Sequence, residues 1–119
     1  MLKRYAVVLA CAALLVPVSA FADARGDAKA WVNFGIEVAQ RGLWREAIYR
    51  WEKATQFDPT YAPAFNNLAV GYEHEGQMDK AQQAYERAIA LAPKDQQIQQ
   101  NYELFKEIHE RTDAATETP

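Results

Sequence analysis

An internal repeat constrains this chain more than any other feature. Residues 62–95, which read APAFNNLAVGYEHEGQMDKAQQAYERAIALAPKD, follow the same plan as residues 28–61 immediately before them. Equivalent positions carry similar residues in the pairs Trp31/Phe65, Phe34/Leu68, Gly35/Ala69, Val38/Tyr72, Gly42/Gly76, Ala47/Ala81, Trp51/Tyr85, Ala54/Ala88 and Pro59/Pro93. A fixed period of about 20 to 50 residues is typical of stacked repeats, in which each unit packs on its neighbours.

The apolar residues of each repeat predict a pair of helices. They recur at spacings of three and four, which is the spacing of one helix face. Gly42 and Gly76 suit the tight turn between two helices, and Pro59 and Pro93 end the second helix of each pair. We expect helices over 28–40, 44–57, 78–91 and 96–111, and one more between Thr60 and the turn at Gly76, with N-caps at Asp27, Thr60 and Asp95.

The order of the matched residues resembles the tetratricopeptide repeat, whose period of about 34 residues equals the offset between the two copies. Val38 stands where that family usually has Tyr, and Ala69 replaces its Gly. The resemblance implies an all-α fold, with two antiparallel helix pairs and a C-terminal capping helix in a right-handed stack. It also implies a scaffold that binds proteins or peptides and performs no chemistry of its own.

The start of the chain, over 1–22, has the layout of a secretory signal peptide. Lys3 and Arg4 give a positive start, and an apolar run from Tyr5 to Val16 follows. Cleavage is predicted after Ala22, with Ala20 as the rival position, which indicates a periplasmic or secreted protein. The run is short for a membrane span, which needs about 20 apolar residues, but an uncleaved anchor is the alternative.

The sequence therefore divides into six segments. These are a signal peptide (1–22), a lead-in (23–27), repeat 1 (28–61), repeat 2 (62–95), a capping helix (96–111) and a disordered tail (112–119). The capping helix continues the register of a first helix, but no second helix follows it.

Charge and cysteine content exclude several classes of function. The whole chain has a net charge of −3, and loss of the signal peptide with its two basic residues makes this −5. Such a balance argues against binding of nucleic acid, which needs clustered Lys and Arg. Cys11 is the one cysteine and lies in the apolar run, so the mature chain would have no disulfide and no thiolate ligand.

Binding residues are expected on the first helix of each pair, which lines an inner, concave surface in this family. By register, that surface would carry Lys29, Val32, Asn33, Ile36, Gln40, Asn66, Asn67, Val70, Glu73, His74, Gln97, Gln100, Asn101 and Leu104. Asn33, Asn67 and Asn101 recur at one position of the repeat, and amides of this kind can donate to and accept from a peptide backbone. Equally, such asparagines can bond neighbouring helices and only support the stack.

No residues in the sequence indicate catalysis. His74 and His109 have no second His or Cys at metal-ligand spacing, and no Ser-His-Asp order or phosphate loop is present. We therefore expect a non-enzymatic interaction module without cofactor, metal or evident small-molecule substrate, whose partner is another protein or peptide. The alternative is a self-assembling structural protein, a homodimer for example, that pairs through the outer side of residues 28–45, including Leu43 and Trp44.

Exchange of Lys3 and Arg4 for acidic residues is expected to trap the precursor, because the positive start orients a signal peptide. N-terminal sequencing of the exported wild type should begin at Asp23 or Phe21. The same exchange at two basic residues far from the start is the control and should leave export unchanged. A mature chain that still begins at Met1 would contradict the prediction.

Overall fold

The computed structural model describes residues 17–117. These residues form five α-helices and no strand: α1 (Val18–Gln40), α2 (Trp44–Phe57), α3 (Ala62–His74), α4 (Met78–Leu91) and α5 (Gln96–Glu117). Helices α1 and α2 pack as one pair and α3 and α4 as a second, while α2 also packs on α3 and α4 on α5. The all-α stack of two pairs and a terminal helix confirms the predicted fold class. No helix in this range is long and apolar enough to cross a membrane.

Glycine forms the turn within each pair. The φ angles of Gly42 and Gly76 are 79° and 73°, a region that residues with a Cβ rarely adopt. The same hydrogen bond closes both turns: the amide of Leu43 donates to Val38 O at 3.1 Å, and that of Gln77 to Tyr72 O at 2.8 Å. These bonds satisfy carbonyls at the helix end, so the turns stop α1 and α3 where the sequence predicted.

Only one of the three predicted N-caps is present. Asp95 Oδ1 accepts a hydrogen bond from the amide of Ile98 at 3.1 Å and caps α5 as expected. The N-cap residue of α3 is Tyr61, without a side-chain bond, so the prediction of Thr60 is wrong. Asp27 lies inside α1 because that helix begins at Val18.

Helix α1 starts earlier than predicted because Arg25 ties its first turns to the α2–α3 turn. Arg25 Nε donates to Asp58 Oδ2, and Arg25 Nη2 donates to Thr60 Oγ1 at 3.1 Å. The guanidinium also lies 4.9 Å from the centre of the Tyr61 ring. Burial alone would raise the pKa of the Asp58 carboxyl, but hydrogen bonds from Arg25 and Thr60 hold it below its ordinary value. The lead-in 23–27 is thus helical and docked.

The predicted ends of the chain differ from the structure in extent. Residues 1–16 of the predicted signal peptide lie outside the described residues, and 18–22 form the start of α1. At the other end α5 runs past Arg111 to Glu117, so the prediction of a disordered tail is wrong for 112–117, and 118–119 lie outside the described range. An ion pair of 2.5 Å between Arg111 and Glu107, one turn apart, supports this last part of α5.

The core is centred on Trp51, which is 2% exposed. Its indole Nε1 donates to Val32 O of α1 at 3.2 Å. A Cβ on Gly35 would lie 2.3 Å from this nitrogen, and a Cβ on Gly71 would lie 3.0 Å from the far side of the ring and 2.7 Å from Ile48. Two glycines, one on α1 and one on α3, therefore make the space that the indole fills.

Repeat 2 uses a smaller ring and a larger neighbour at the equivalent positions. Tyr85 replaces Trp51 and is 1% exposed, and Ala69 replaces Gly35. The Tyr85 hydroxyl donates to Glu73 Oε2 at 2.5 Å instead of reaching a backbone carbonyl. Helix α5 then covers this tyrosine with Phe105, whose ring centre lies 5.3 Å away.

Replacement of Gly35 by Ala is expected to destabilise the protein by about 1–3 kcal/mol, because the new methyl group would overlap the rigid indole of Trp51. Urea denaturation measures the change. The control is Gly26→Ala, also in α1, where nothing lies within 4 Å of the new Cβ. It should be neutral or stabilising by up to about 1 kcal/mol.

The double variant Gly35→Ala, Trp51→Tyr transfers the pair used by repeat 2 into repeat 1. Its loss of stability should be smaller than the sum of the two single losses, because the smaller ring leaves space for the methyl group. Strict additivity of the two losses would show that the glycine and the indole are not coupled.

Candidate functional site

The predicted binding residues lie on the first helix of each pair and on α5. Helix α1 packs on α3, and Asn101 Nδ2 of α5 donates to Asn66 Oδ1 of α3 at 3.1 Å. These contacts bring the three helices together in chain order, so equivalent positions form columns across them. We call the side of α1, α3 and α5 that carries the predicted residues the first-helix surface.

Most of the predicted residues are accessible on this surface. The exposed ones are Lys29, Asn33, Ile36, Gln40, His74, Gln97, Gln100 and Leu104, and the half-buried ones are Asn67, Val70, Glu73 and Asn101. Asn66 is 8% exposed and serves the contact between α3 and α5. Val32, also expected on the surface, is 3% exposed and belongs to the core.

The asparagine column is partly engaged within the protein. Asn101 donates to Asn66, and Asn67 Nδ2 donates to Pro63 O of its own helix at 2.8 Å. The side chain of Asn33 is exposed and has no hydrogen bond to the other described residues. Asn101 therefore fits the interpretation that the column supports the stack, whereas Asn33 presents a free amide and fits the interpretation that the column binds a peptide.

A second column on the same surface is apolar. Ile36, Val70 and Leu104 occupy one position of the repeat register, and Ile36 and Leu104 are 37% and 56% exposed. Ile108 lies one turn beyond Leu104 and is 51% exposed, although sequence analysis did not select it. The repeat register indicates Ile108 as a surface position, because it follows His74 by one full period of the repeat. Exposed aliphatic residues that line up across helices are typical of a surface that another protein covers.

The rim of the surface is formed where α3 ends. The His74 ring stacks on Trp44 of α2 with centroids 3.5 Å apart, so Trp44 is half-buried and does not lie on the free outer side that the sequence predicted. Glu73 accepts the Tyr85 hydroxyl, and burial together with this carboxylate raises the pKa of Tyr85 well above its usual range. Val70, Glu73 and His74 line a hollow of about 220 Å³.

A larger hollow of about 560 Å³ lies elsewhere, between the start of α1 and the α2–α3 turn. Much of its wall is made by residues 18–24, including Val18 and Phe21, most of which the predicted cleavage would remove. We therefore take the first-helix surface, and not this hollow, as the candidate site.

The surface offers apolar contact and amide hydrogen bonds. Within residues 17–117, no three His, Cys, Asp or Glu side chains are grouped so as to hold a metal ion. His109 contacts Asp113 at 3.6 Å and stacks on Phe105 at 5.7 Å, on the side of α5 that packs against α4. The aliphatic and amide side chains of the first-helix surface can recognise a partner by shape and hydrogen bonding.

Two helix pairs of one repeated plan, closed by a terminal helix, define a helical repeat protein. The family model "Tetratricopeptide repeat" matches residues 62–95, which are repeat 2. The fold resembles the crystal structure of MamA protein, with 28% sequence identity and a TM-score of 0.65. The match covers 79% of this chain and 51% of the MamA chain, so our chain spans about half the length of that protein. No curated protein matches the sequence.

Repeat 2 thus matches the tetratricopeptide repeat family, and the fold of the described residues resembles that of MamA protein. Repeats of this family generally mediate interactions between proteins and are typically not enzymes.

Replacement of Asn101 by Ala should cost about 0.5–1.5 kcal/mol in unfolding free energy, because buried Asn66 loses its donor. The control Asn33→Ala removes the same group at the equivalent exposed position and makes the same change in helix propensity. Its effect should stay within about 0.5 kcal/mol. Equal effects of both changes in urea denaturation would contradict a supporting role for Asn101.

Proposed function

We propose that this protein is a non-enzymatic interaction module that holds a segment of another protein on its first-helix surface in the cell envelope. The observation that carries the proposal is an apolar column, formed by exposed Ile36 and Leu104 with half-buried Val70, beside an unengaged Asn33. Burial of such aliphatic side chains by a partner contributes roughly 25 cal/mol for each Å² of apolar surface removed from water.

The spacing of the column favours a partner segment with regular apolar positions. Packed helices lie about 8–10 Å apart, so successive column members should lie at about that distance. In an α-helix this distance corresponds to about five to seven residues, of which seven brings a side chain back to the same side. In a polyproline II segment it corresponds to about three residues, which also bring side chains back to the same side. An amphipathic helix with an apolar residue every seven positions is the partner that we favour.

The location in the envelope rests on the sequence of residues 1–22. Their positive start, apolar run and small residues before Asp23 support export and cleavage. The net charge of −5 expected for the processed chain supports a protein partner over a nucleic acid.

A photo-crosslinking amino acid placed at Ile36 or Leu104 tests the proposal in the native envelope. Crosslinks to one defined partner are expected from both positions, because both side chains would contact the same segment. The control position is Tyr49 on α2, which is 52% exposed but lies outside the first-helix surface. Mass spectrometry of the crosslinked peptide identifies the segment and shows whether its apolar residues recur every seven positions.

The variants Ile36→Glu and Leu104→Glu should weaken capture of that partner at least about tenfold, because each places a charge in an apolar contact. Both residues are exposed, so circular dichroism should show an unchanged fold. Crosslinking that is equally strong from Tyr49, or capture that survives both substitutions, would exclude the first-helix surface as the binding site.

The alternative function, self-association through α1, is favoured by one specific observation. Phe34 is 45% exposed, whereas its equivalent in repeat 2, Leu68, is 5% exposed. Helix α3 packs against α2, the helix that precedes it. Within the described residues, α1 packs only on α2 and α3, both of which come later in the chain. A second copy of the chain could cover the side of α1 that holds Phe34.

A further inference from the structure

The side of α1 that faces away from its core contacts with the other described helices carries a regular stripe of residues. The helix packs on its neighbours through Ala28, Val32, Gly35 and Val38. On another side, at intervals of three and four, lie Asp27, Ala30, Phe34, Glu37 and Arg41, which directly follows the last residue of α1; all five are exposed. We call these five residues the outer stripe of α1. Residues spaced in this way share one side of a helix and form the seam when two helices pair.

The centre of the outer stripe is suited to burial. The Arg50 guanidinium lies 3.6 Å from the centre of the Phe34 ring and 5.9 Å from that of Trp31. Arg50 also forms an ion pair of 2.6 Å with Glu46, so the charge beside Phe34 is already balanced. Arg50 Nε is buried and has no acceptor among the described residues. A flat aromatic surface with a neutralised cation can be covered without leaving an isolated charge behind.

The ends of the outer stripe carry opposite charges at equal distances from its centre. Asp27 lies seven residues before Phe34, and Arg41 lies seven residues after it. Seven residues are about two helical turns, so all three residues lie on nearly the same side of α1. Neither Asp27 nor Arg41 has a side-chain hydrogen bond or ion pair within residues 17–117.

We propose that a second copy of this chain packs its α1 antiparallel against the outer stripe, on a two-fold axis that passes close to Phe34. This arrangement places Asp27 of each copy against Arg41 of the other. Glu37 then faces position 31 of the second copy, so no acidic residue meets its own symmetry mate. Two-fold dimers are by far the commonest homo-oligomers, and their interface must be complementary to itself, as the opposite charges of Asp27 and Arg41 are.

The inference rests on the second proposed function, self-association through α1, and does not depend on partner binding by the first-helix surface. The accessible positions of that surface on α1 are Lys29, Asn33, Ile36 and Gln40. Their mean direction is about 110° around the helix from the outer stripe, so both surfaces can be used together.

Sedimentation velocity of protein expressed from the full sequence tests the arrangement. The wild type is expected to dimerise, and the variants Asp27→Arg and Arg41→Asp should each weaken dimerisation at least about tenfold, because like charges then meet at two symmetric places. The double variant Asp27→Arg, Arg41→Asp restores opposite charges in the antiparallel register and should regain the dimer. Glu110→Arg on α5, an exposed change of equal charge, is the control and should dimerise as the wild type does.

Each outcome separates the inference from the function on which it rests. A wild type that stays monomeric at every concentration overturns both. If the single charge reversals leave the strength of dimerisation unchanged, the antiparallel arrangement is wrong and the protein self-associates through another surface. Failure of the double variant to regain the dimer, with thermal melting unchanged, overturns the pairing of Asp27 with Arg41.

Discussion

The placement of Trp51 between two glycines is the contact on which the rest of this structure depends. Its ring, on α2, fills the space opened by Gly35 of α1 and Gly71 of α3, and its N–H group donates to a carbonyl of α1. One side chain therefore holds three helices at a fixed separation. That separation in turn sets how far apart the first helices lie, and so sets the distance between neighbouring members of the apolar column.

The two repeats solve the same packing problem with different residues. Trp51 requires glycine at its neighbour position, whereas the smaller Tyr85 leaves room for Ala69. Ring size and neighbour size change together, so each repeat keeps the density of a protein interior. Stacked repeats touch only their neighbours, and such local compensation allows one repeat to diverge while the next remains recognisable. This agrees with a family match that covers repeat 2 alone.

Features governed by short-range chemistry could be predicted from the sequence. Gly42 and Gly76 define the turns, and Asp95 defines the start of α5. Features that depend on distant contacts could not be predicted. The start of α1 follows from the contact of Arg25 with Asp58, which lies 33 residues away in sequence.

Side-chain direction was the weakest part of the prediction. Val32 and Asn66 were placed on the first-helix surface, but both are buried, since one position along a helix turns a side chain by about 100°. Trp44 was placed on a free outer side, whereas it stacks on His74 of another helix. Register defines which residues are equivalent, but the partner that each side chain finds depends on the packed structure.

The position of α5 at the end of the stack links partner binding to the opening of the protein. Helix α5 packs mainly on α4, so it has fewer neighbours than α3 and should be among the first elements to detach and exchange its amide hydrogens. Its detachment would uncover Tyr85 and remove Leu104 from the apolar column. A partner that contacts Leu104 therefore binds only the closed form and slows this exchange, whereas a partner restricted to α1 and α3 leaves it unchanged. The exchange rate of α5 amides thus reports how far along the column a bound segment extends.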